Sequence, residues 1–159
     1  MSVKRILFVC TGNSCRSVMA EGLMRHVLQR AGIDLTVESA GVFAVSGMQP
    51  TRETQRVLQD ADIDCSAHRT RPLILEMARE ADLIFVMEQL QFEEVVRRIP
   101  SIRGKVHLLK TYGLSSPETE PNPNIPDPIG KPLEVYEVCF SDICDAVERV
   151  ARSLGVHTG

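Results

Sequence analysis

A cysteine and an arginine frame a short polar turn near the beginning of the chain. Residues 10–17 read Cys-Thr-Gly-Asn-Ser-Cys-Arg-Ser and follow an apolar run at residues 6–9. A helical pattern comes next, so backbone N–H groups and a helix N-terminus can point at one bound anion. A cysteine thiolate is a nucleophile, and an arginine guanidinium matches a tetrahedral oxyanion bidentately, which lysine cannot do. The turn therefore predicts covalent chemistry on a bound phosphate.

Attack of Cys10 on such a phosphate would give a phosphocysteine. That route needs an acid to protonate the leaving atom and a base to activate water in the second step. Asp127 is the candidate for both roles, because it lies between two prolines that stiffen its backbone. An ordinary Pro-Asp-Pro turn is the alternative interpretation, and Glu118, Glu120 and Asp64 are rival carboxylates.

Apolar runs alternate with helical patterns along the chain. Runs without polar alternation suit strands buried on both faces of a parallel sheet, and the helical patterns repeat with helical spacing. Ser17 is the predicted N-cap of the first helix. Strands are predicted at residues 3–9, 35–38, 83–87 and 106–109, and helices at residues 18–31, 51–60, 73–80, 89–99 and 136–154. The alternation predicts one α/β domain over residues 1–159, with a parallel sheet flanked by helices.

The proline-rich segment 110–132 is predicted to form a functional loop. It contains six prolines, a density that no helix or central strand tolerates. In parallel α/β sheets, ligands bind at the carboxyl ends of the strands. The turn at residues 10–17 follows the first predicted strand and the proline-rich segment follows the fourth, so both begin at the same edge of the sheet.

Composition narrows the classes of function. The net charge is −3 over 159 residues, which argues against a general nucleic-acid or membrane surface. The longest apolar runs are much shorter than a transmembrane span. The five cysteines have neither secreted-scaffold nor zinc spacing. We therefore expect free thiols in the cytoplasm, with no metal, no cofactor, no nucleic-acid partner and no membrane association.

The turn and several later segments resemble the low-molecular-weight protein tyrosine phosphatase family. Its signature is a cysteine, five residues, an arginine and then serine or threonine, placed at the N-terminus. The similarity spans nearly the whole chain. It includes residues 10–17, 37–41, His68, 81–84, Met87, 127–128 and 135–136.

The resemblance implies a three-layer fold with a four-stranded parallel sheet and a phosphate-binding loop after the first strand. It implies Cys10 as nucleophile, Arg16 as phosphate clamp and Asp127 as general acid and then base. Ser17 would hydrogen-bond the Cys10 thiolate. The residues that would bind phosphate are Thr11, Gly12, Asn13, Ser14, Cys15, Arg16 and Ser17. Those that would support the loop are Asn13, Ser17, Ser39 and His68.

The implied ligands are phosphorylated proteins as substrates, and inorganic phosphate or other oxyanions in the loop. Cys15 has two open interpretations. It matches a family position that can form a reversible disulfide with Cys10 and protect the thiolate from irreversible oxidation, or it is an inert cysteine of the turn.

Three departures from the family pattern bear on the substrate. Tyrosine phosphatases of this family carry an aromatic pair after Asp-Pro, whereas Ile129 and Gly130 follow here. Many carry a bulky apolar residue in place of Ser14, and the usual proline after Arg-Ser is Val18. A small hydroxyl residue at position 14 and Val-Phe-Ala at residues 42–44 resemble the bacterial protein-arginine phosphatase branch. Phosphotyrosine and phosphoarginine both stay open, and the arginine branch is favoured.

Two other functions compete with phosphate hydrolysis. A thioredoxin-coupled arsenate reductase on the same fold shares the turn, but it needs two further redox cysteines near residues 80–90, and no cysteine lies between Cys65 and Cys139. An inactive phosphoprotein-binding module would lack the nucleophile or the acid, whereas this chain has both Cys10 and Asp127.

Overall fold

The four predicted apolar runs form one parallel sheet in the computed structural model, which describes residues 2–157. The strands are β1 (Arg5–Cys10), β2 (Thr36–Gly41), β3 (Leu83–Val86) and β4 (Val106–Leu108), in the spatial order β2-β1-β3-β4. The central strand β1 pairs with β2 so that Cys10 lies opposite Gly41. Because β1 is covered on both faces, its sequence shows no polar alternation.

Helices cover both faces of the sheet, which confirms the predicted three-layer α/β fold. The helices are α1 (Arg16–Ala31), α2 (Arg52–Asp60), α3 (Leu75–Glu80), α4 (Gln89–Arg98) and α5 (Leu133–Ser153), with 3₁₀ turns at Pro100–Lys105 and Pro117–Thr119. Side chains of β1 alternate between two apolar clusters: Ile6, Phe8 and Cys10 join residues of α1 and α5, whereas Leu7 and Val9 join residues of α3 and α4. Cys10 therefore points to the face that α1 and α5 cover.

Two local predictions were wrong. Strand β2 extends to Gly41 instead of ending at Glu38, because the polar Ser39 is buried beside the turn instead of ending the strand. Ser17 is not the N-cap of α1, which begins at Arg16 with Cys15 at the N-cap position. The Ser17 hydroxyl instead contacts the sulfur of Cys10. The Ser17 hydroxyl therefore contacts a buried sulfur and does not cap the helix.

The proline-rich segment is anchored to the rest of the fold at both ends. At its start, the Arg149 side chain on α5 donates to the carbonyl oxygens of Lys110 (2.5 Å) and Tyr112 (2.7 Å). Near its end, Ile125 is fully buried and its N–H donates to the carbonyl oxygen of Met87 at 2.9 Å. Within residues 2–157, no helix combines the length and the apolar character that crossing a bilayer requires.

Candidate active site

The Cys10 sulfur lies at the base of the turn formed by residues 10–17, which we call the anion loop. It is 2% exposed. Its Sγ lies 2.9 Å from Ser17 Oγ and accepts a hydrogen bond from the Asn13 N–H at 3.3 Å. The position at the end of β1, ahead of helix α1, lets the backbone wrap around a space above the sulfur.

Asn13 holds the anion loop in a conformation that non-glycine residues rarely adopt. Its φ is 56°, in the left-handed region. Its side-chain Nδ2 donates to Ser17 Oγ (2.8 Å) and Ser39 Oγ (2.9 Å), and its Oδ1 accepts from the Arg71 N–H at 3.1 Å. His68 Nε2 donates to the Asn13 carbonyl oxygen at 2.9 Å. The four sequence-predicted support residues thus meet around one strained backbone position.

Among the buried residues that the structure describes, Arg16 is the one with a charged side chain, and it is 1% exposed. Its Nη1 donates to the Ile125 carbonyl oxygen at 2.8 Å and to the Glu88 carboxylate, and its Nη2 lies 3.5 Å from Asp127 Oδ2. Its Nε has no hydrogen-bond partner among residues 2–157. Buried N–H groups are rarely left without an acceptor. The Nε–Nη2 edge is therefore available for a bidentate oxyanion.

Burial by itself lowers the pKa of Arg16, but the groups around it raise the pKa by more. Cys10, Glu88 and Asp127 together raise the pKa of the Arg16 guanidinium above its ordinary value. The cation is thus retained in a buried position because three groups that can carry negative charge surround it. An incoming phosphate meets a permanent positive charge.

Asp127 lies beside Arg16 with its carboxylate partly exposed. Its Oδ1 accepts from the Ile129 N–H at 3.1 Å, which fixes the carboxylate in a short turn. Two of the three rival carboxylates have other contacts: Asp64 accepts from the Ser66 N–H, and Glu120 lies 3.8 Å from Lys110 Nζ. Asp127 is therefore the predicted acid that the fold places at the anion loop.

Sequence reasoning missed three residues that position the site. Glu88 contacts Arg16, and Ile125 contributes its carbonyl oxygen to the same guanidinium. Gln91 is buried; its Oε1 accepts from the Met87 and Glu88 N–H groups and its Nε2 donates to Thr11 Oγ1 at 3.0 Å. Glu88 carried a usable signal, since a polar residue directly after a buried strand lies at the ligand-binding edge.

Cys15 is buried on the far side of the anion loop. Its sulfur lies 3.6 Å from Thr51 Oγ1, and its thiol donates a long hydrogen bond to the Tyr136 hydroxyl oxygen at 3.8 Å. Burial, followed by weaker contributions of either sign from neighbours that include Cys15, raises the pKa of Tyr136 to about 12, so its hydroxyl stays protonated. All five cysteines are free thiols. A reversible disulfide between Cys10 and Cys15 stays one of the two interpretations of Cys15.

Cys139 is a third buried thiol near the site. It lies on α5, and burial raises its pKa to about 12. The thiolate is the reactive form of cysteine, so Cys139 stays neutral and unreactive at ordinary pH.

A buried arginine, a cysteine at a strand end and a carboxylate on a facing loop define a class of enzymes that act on bound oxyanions through a thiolate. Comparisons with known proteins place the chain within that class. Residues 5–157 match the model of the low molecular weight phosphotyrosine protein phosphatase family. The chain belongs to this family.

The relatives include both arginine and tyrosine phosphatases. The protein-arginine-phosphatase of Bacillus subtilis is 32% identical over 149 residues, which cover 94% of this chain and 95% of that protein. A structure of the arginine phosphatase YwlE, a mutant with a phosphorylated active-site serine, has a TM-score of 0.87 and 30% identity and covers 97% of both chains. The tyrosine phosphatase Wzb from Escherichia coli K30 in complex with sulphate has a TM-score of 0.85 and 31% identity, covering 96% of this chain and 99% of that one. Identity alone therefore does not select the substrate.

Proposed function

We propose that this chain is a protein phosphatase that hydrolyses phosphorylated side chains through a phosphocysteine at Cys10. The observation that carries the proposal is the geometry of Arg16. Two of its contacts hold Nη1, while its buried Nε has no partner among the described residues. The phosphorylated active-site serine in the YwlE structure supports a covalent intermediate at the corresponding step. The sulphate in the Wzb complex supports an oxyanion as ligand.

The first step transfers the phosphoryl group to sulfur. The Cys10 thiolate attacks phosphorus, an S–P bond forms, and the bond from phosphorus to the leaving atom breaks. The leaving atom keeps the electron pair and takes the proton of the Asp127 carboxylic acid. Arg16 and the N–H groups of the anion loop stabilise the charge on the equatorial oxygens during transfer.

The second step regenerates the enzyme. The Asp127 carboxylate now takes a proton from water, and the water oxygen attacks phosphorus. The S–P bond breaks, its electron pair returns to Cys10 as the thiolate, and inorganic phosphate leaves. One carboxyl group serves both steps. It gives up its proton in the first step, and the carboxylate that results takes a proton from water in the second.

Phosphoarginine is the proposed preferred substrate. Ile129 follows Asp-Pro and is exposed, so the aromatic pair that flanks a phenyl ring in related tyrosine phosphatases is missing here. Ser14, at the half-buried wall of the anion loop, is small. A pocket of this shape favours a slender leaving group over an aryl ring through differences in transition-state contacts. The arginine phosphatases among the relatives add support.

The proposal also covers the whole chain and its location. We infer that residues 1–159 form one phosphatase domain, which the family match over residues 5–157 supports. We further infer a cytoplasmic location, because five free cysteines suit a reducing compartment.

Two measurements test the proposed function together. Phosphotyrosine and phosphoarginine peptides of identical flanking sequence are compared by kcat/KM, and reactions quenched in acid are analysed for a phosphoryl group on Cys10. We expect the group on Cys10 with both substrates and the higher kcat/KM with phosphoarginine. A preference for phosphotyrosine would contradict the substrate assignment, and turnover without any phosphoenzyme would contradict the mechanism.

Replacement of Asp127 by asparagine is expected to lower kcat/KM on phosphoarginine by about 10²-fold, because the leaving nitrogen then lacks a proton donor. The loss on p-nitrophenyl phosphate should be less than about tenfold, since nitrophenolate leaves without a proton. Glu118→Gln is the matched control on the same loop. Equal losses on the two substrates would show that Asp127 is not the acid of the first step.

A further inference from the structure

Two carboxylates bracket the guanidinium of Arg16, and the proposed mechanism uses only one of them. Asp127 lies at Nη2, whereas Glu88 lies at Nη1. They come from different elements: Glu88 follows β3 and precedes α4, and Asp127 belongs to the proline-rich segment. Both carboxylates therefore contact the same buried guanidinium, Asp127 at the Nη2 that borders the free Nε–Nη2 edge and Glu88 at the other terminal nitrogen.

Glu88 is partly exposed to solvent, whereas the guanidinium that it contacts is buried. The Glu88 side chain is 26% exposed, and that of Asp127 is 39% exposed, compared with 1% for Arg16. Part of the Glu88 side chain is therefore in contact with solvent.

With a neutral leaving group, the negative charges around Arg16 would outnumber the positive ones. A phosphate dianion, the Cys10 thiolate and the Glu88 carboxylate would face a single buried cation, Arg16, even with Asp127 protonated as the acid. A phenyl ring offers no positive charge or N–H donor to offset this. The guanidinium of phosphoarginine carries a positive charge and planar N–H donors that match carboxylates.

We propose that Glu88 is a specificity-determining residue that accepts N–H groups from the cationic guanidinium of phosphoarginine at the opening of the site. Asp127 protonates the nitrogen bonded to phosphorus, and Glu88 offsets the positive charge on the remainder of the leaving group. This inference rests on the proposed phosphatase function. It adds a residue that recognises the chemical class of the substrate.

A purely supporting role for Glu88 makes a different prediction. If Glu88 only holds Arg16, its loss weakens phosphate binding equally for every substrate. If it also binds the leaving guanidinium, the loss is larger for phosphoarginine than for phosphotyrosine. The ratio of the two kcat/KM values separates these roles, because the shared effect on Arg16 cancels in it.

The test compares the wild type with Glu88→Gln, Glu88→Asp and the control Glu94→Gln. Glu94 lies on α4 and pairs with Arg97 and Arg98. We expect Glu88→Gln to reduce activity on both peptides and to lower the phosphoarginine-to-phosphotyrosine ratio at least tenfold, which is about 1.4 kcal/mol of discrimination. Glu88→Asp keeps the charge and should retain most of the ratio. Glu94→Gln should leave both activities and the ratio unchanged.

Several outcomes would overturn the inference. Equal fold losses on both peptides in Glu88→Gln, which leave the ratio unchanged, would assign Glu88 a supporting role alone and remove it from substrate recognition. Inhibition by orthovanadate, measured in parallel, reports the affinity of Arg16 for an oxyanion without any leaving group. A wild type that hydrolyses only phosphotyrosine through Cys10 would refute the role of Glu88 while leaving the phosphatase function intact, whereas turnover independent of Cys10 would refute that function itself.

Discussion

Cys10→Ser is expected to lower turnover of p-nitrophenyl phosphate by at least roughly 10⁴-fold, the scale seen when a catalytic nucleophile is removed. A serine hydroxyl does not ionise at ordinary pH. The groups around Sγ, the Asn13 N–H and the Ser17 hydroxyl, do not include a base that could take its proton. Arg16 and the loop N–H groups stay in place, so the variant should still bind inorganic phosphate.

Phosphate binding and the fold are therefore the controls for this variant. Thermal unfolding with and without phosphate should show the same ligand-dependent rise in Tm for Cys10→Ser and for the wild type. Cys144→Ser, a half-buried cysteine on α5, should keep full activity. Undiminished turnover by Cys10→Ser would eliminate the phosphocysteine mechanism. Slow accumulation of a phosphoserine would agree with it, as the YwlE mutant structure illustrates.

Gly41→Ala is expected to disrupt the anion loop from the neighbouring strand. A Cβ atom at Gly41 would lie 2.6 Å from the Thr11 carbonyl oxygen, 2.8 Å from Ala44 Cβ and 3.0 Å from the Asn13 nitrogen. Two of these three atoms are backbone of the loop and cannot rotate away. We expect a loss of about 1–3 kcal/mol in the free energy of unfolding. Displacement of the loop by a fraction of an ångström should also lower kcat/KM by about 10²-fold.

Gly104→Ala provides the matched control, because a Cβ there would have no heavy atom within 4 Å. That variant should keep the stability and the activity of the wild type. Chemical denaturation measures the first quantity and p-nitrophenyl phosphate turnover the second. A stable and fully active Gly41→Ala variant would contradict the close approach of β2 to the loop.

The fold could be predicted because its pattern is carried by local runs of residues. Apolar strands that alternate with amphipathic helices specify a parallel sheet, and the edge rule then brings the turn after β1 and the loop after β4 together. Asp127 was selected from sequence by its two flanking prolines, and the structure places it next to Arg16. Its catalytic role remains a proposal.

The features that escaped prediction depend on contacts between distant parts of the chain. The Ile125 carbonyl oxygen binds Arg16 across 109 positions, and every residue has a carbonyl group, so no side-chain pattern could indicate it. Ser17 is a different case: local preference wrongly assigned it to helix capping, whereas the family resemblance correctly implied the contact of its hydroxyl with Cys10.

The hydrogen bonds of Ile125 and Asn124 have a consequence for how this enzyme can change in evolution. Ile125 N–H binds Met87, and Asn124 Oδ1 accepts from the Gln89 N–H at 2.8 Å. The position of Asp127 is thus fixed by the hydrogen bond of Ile125, two residues earlier, and does not depend on the path of the preceding part of the loop. Insertions or deletions between Lys110 and Asn124 can therefore vary the outer surface of the loop, where longer connections cost little entropy. Asp127 can stay in place while the outer surface of the loop diversifies.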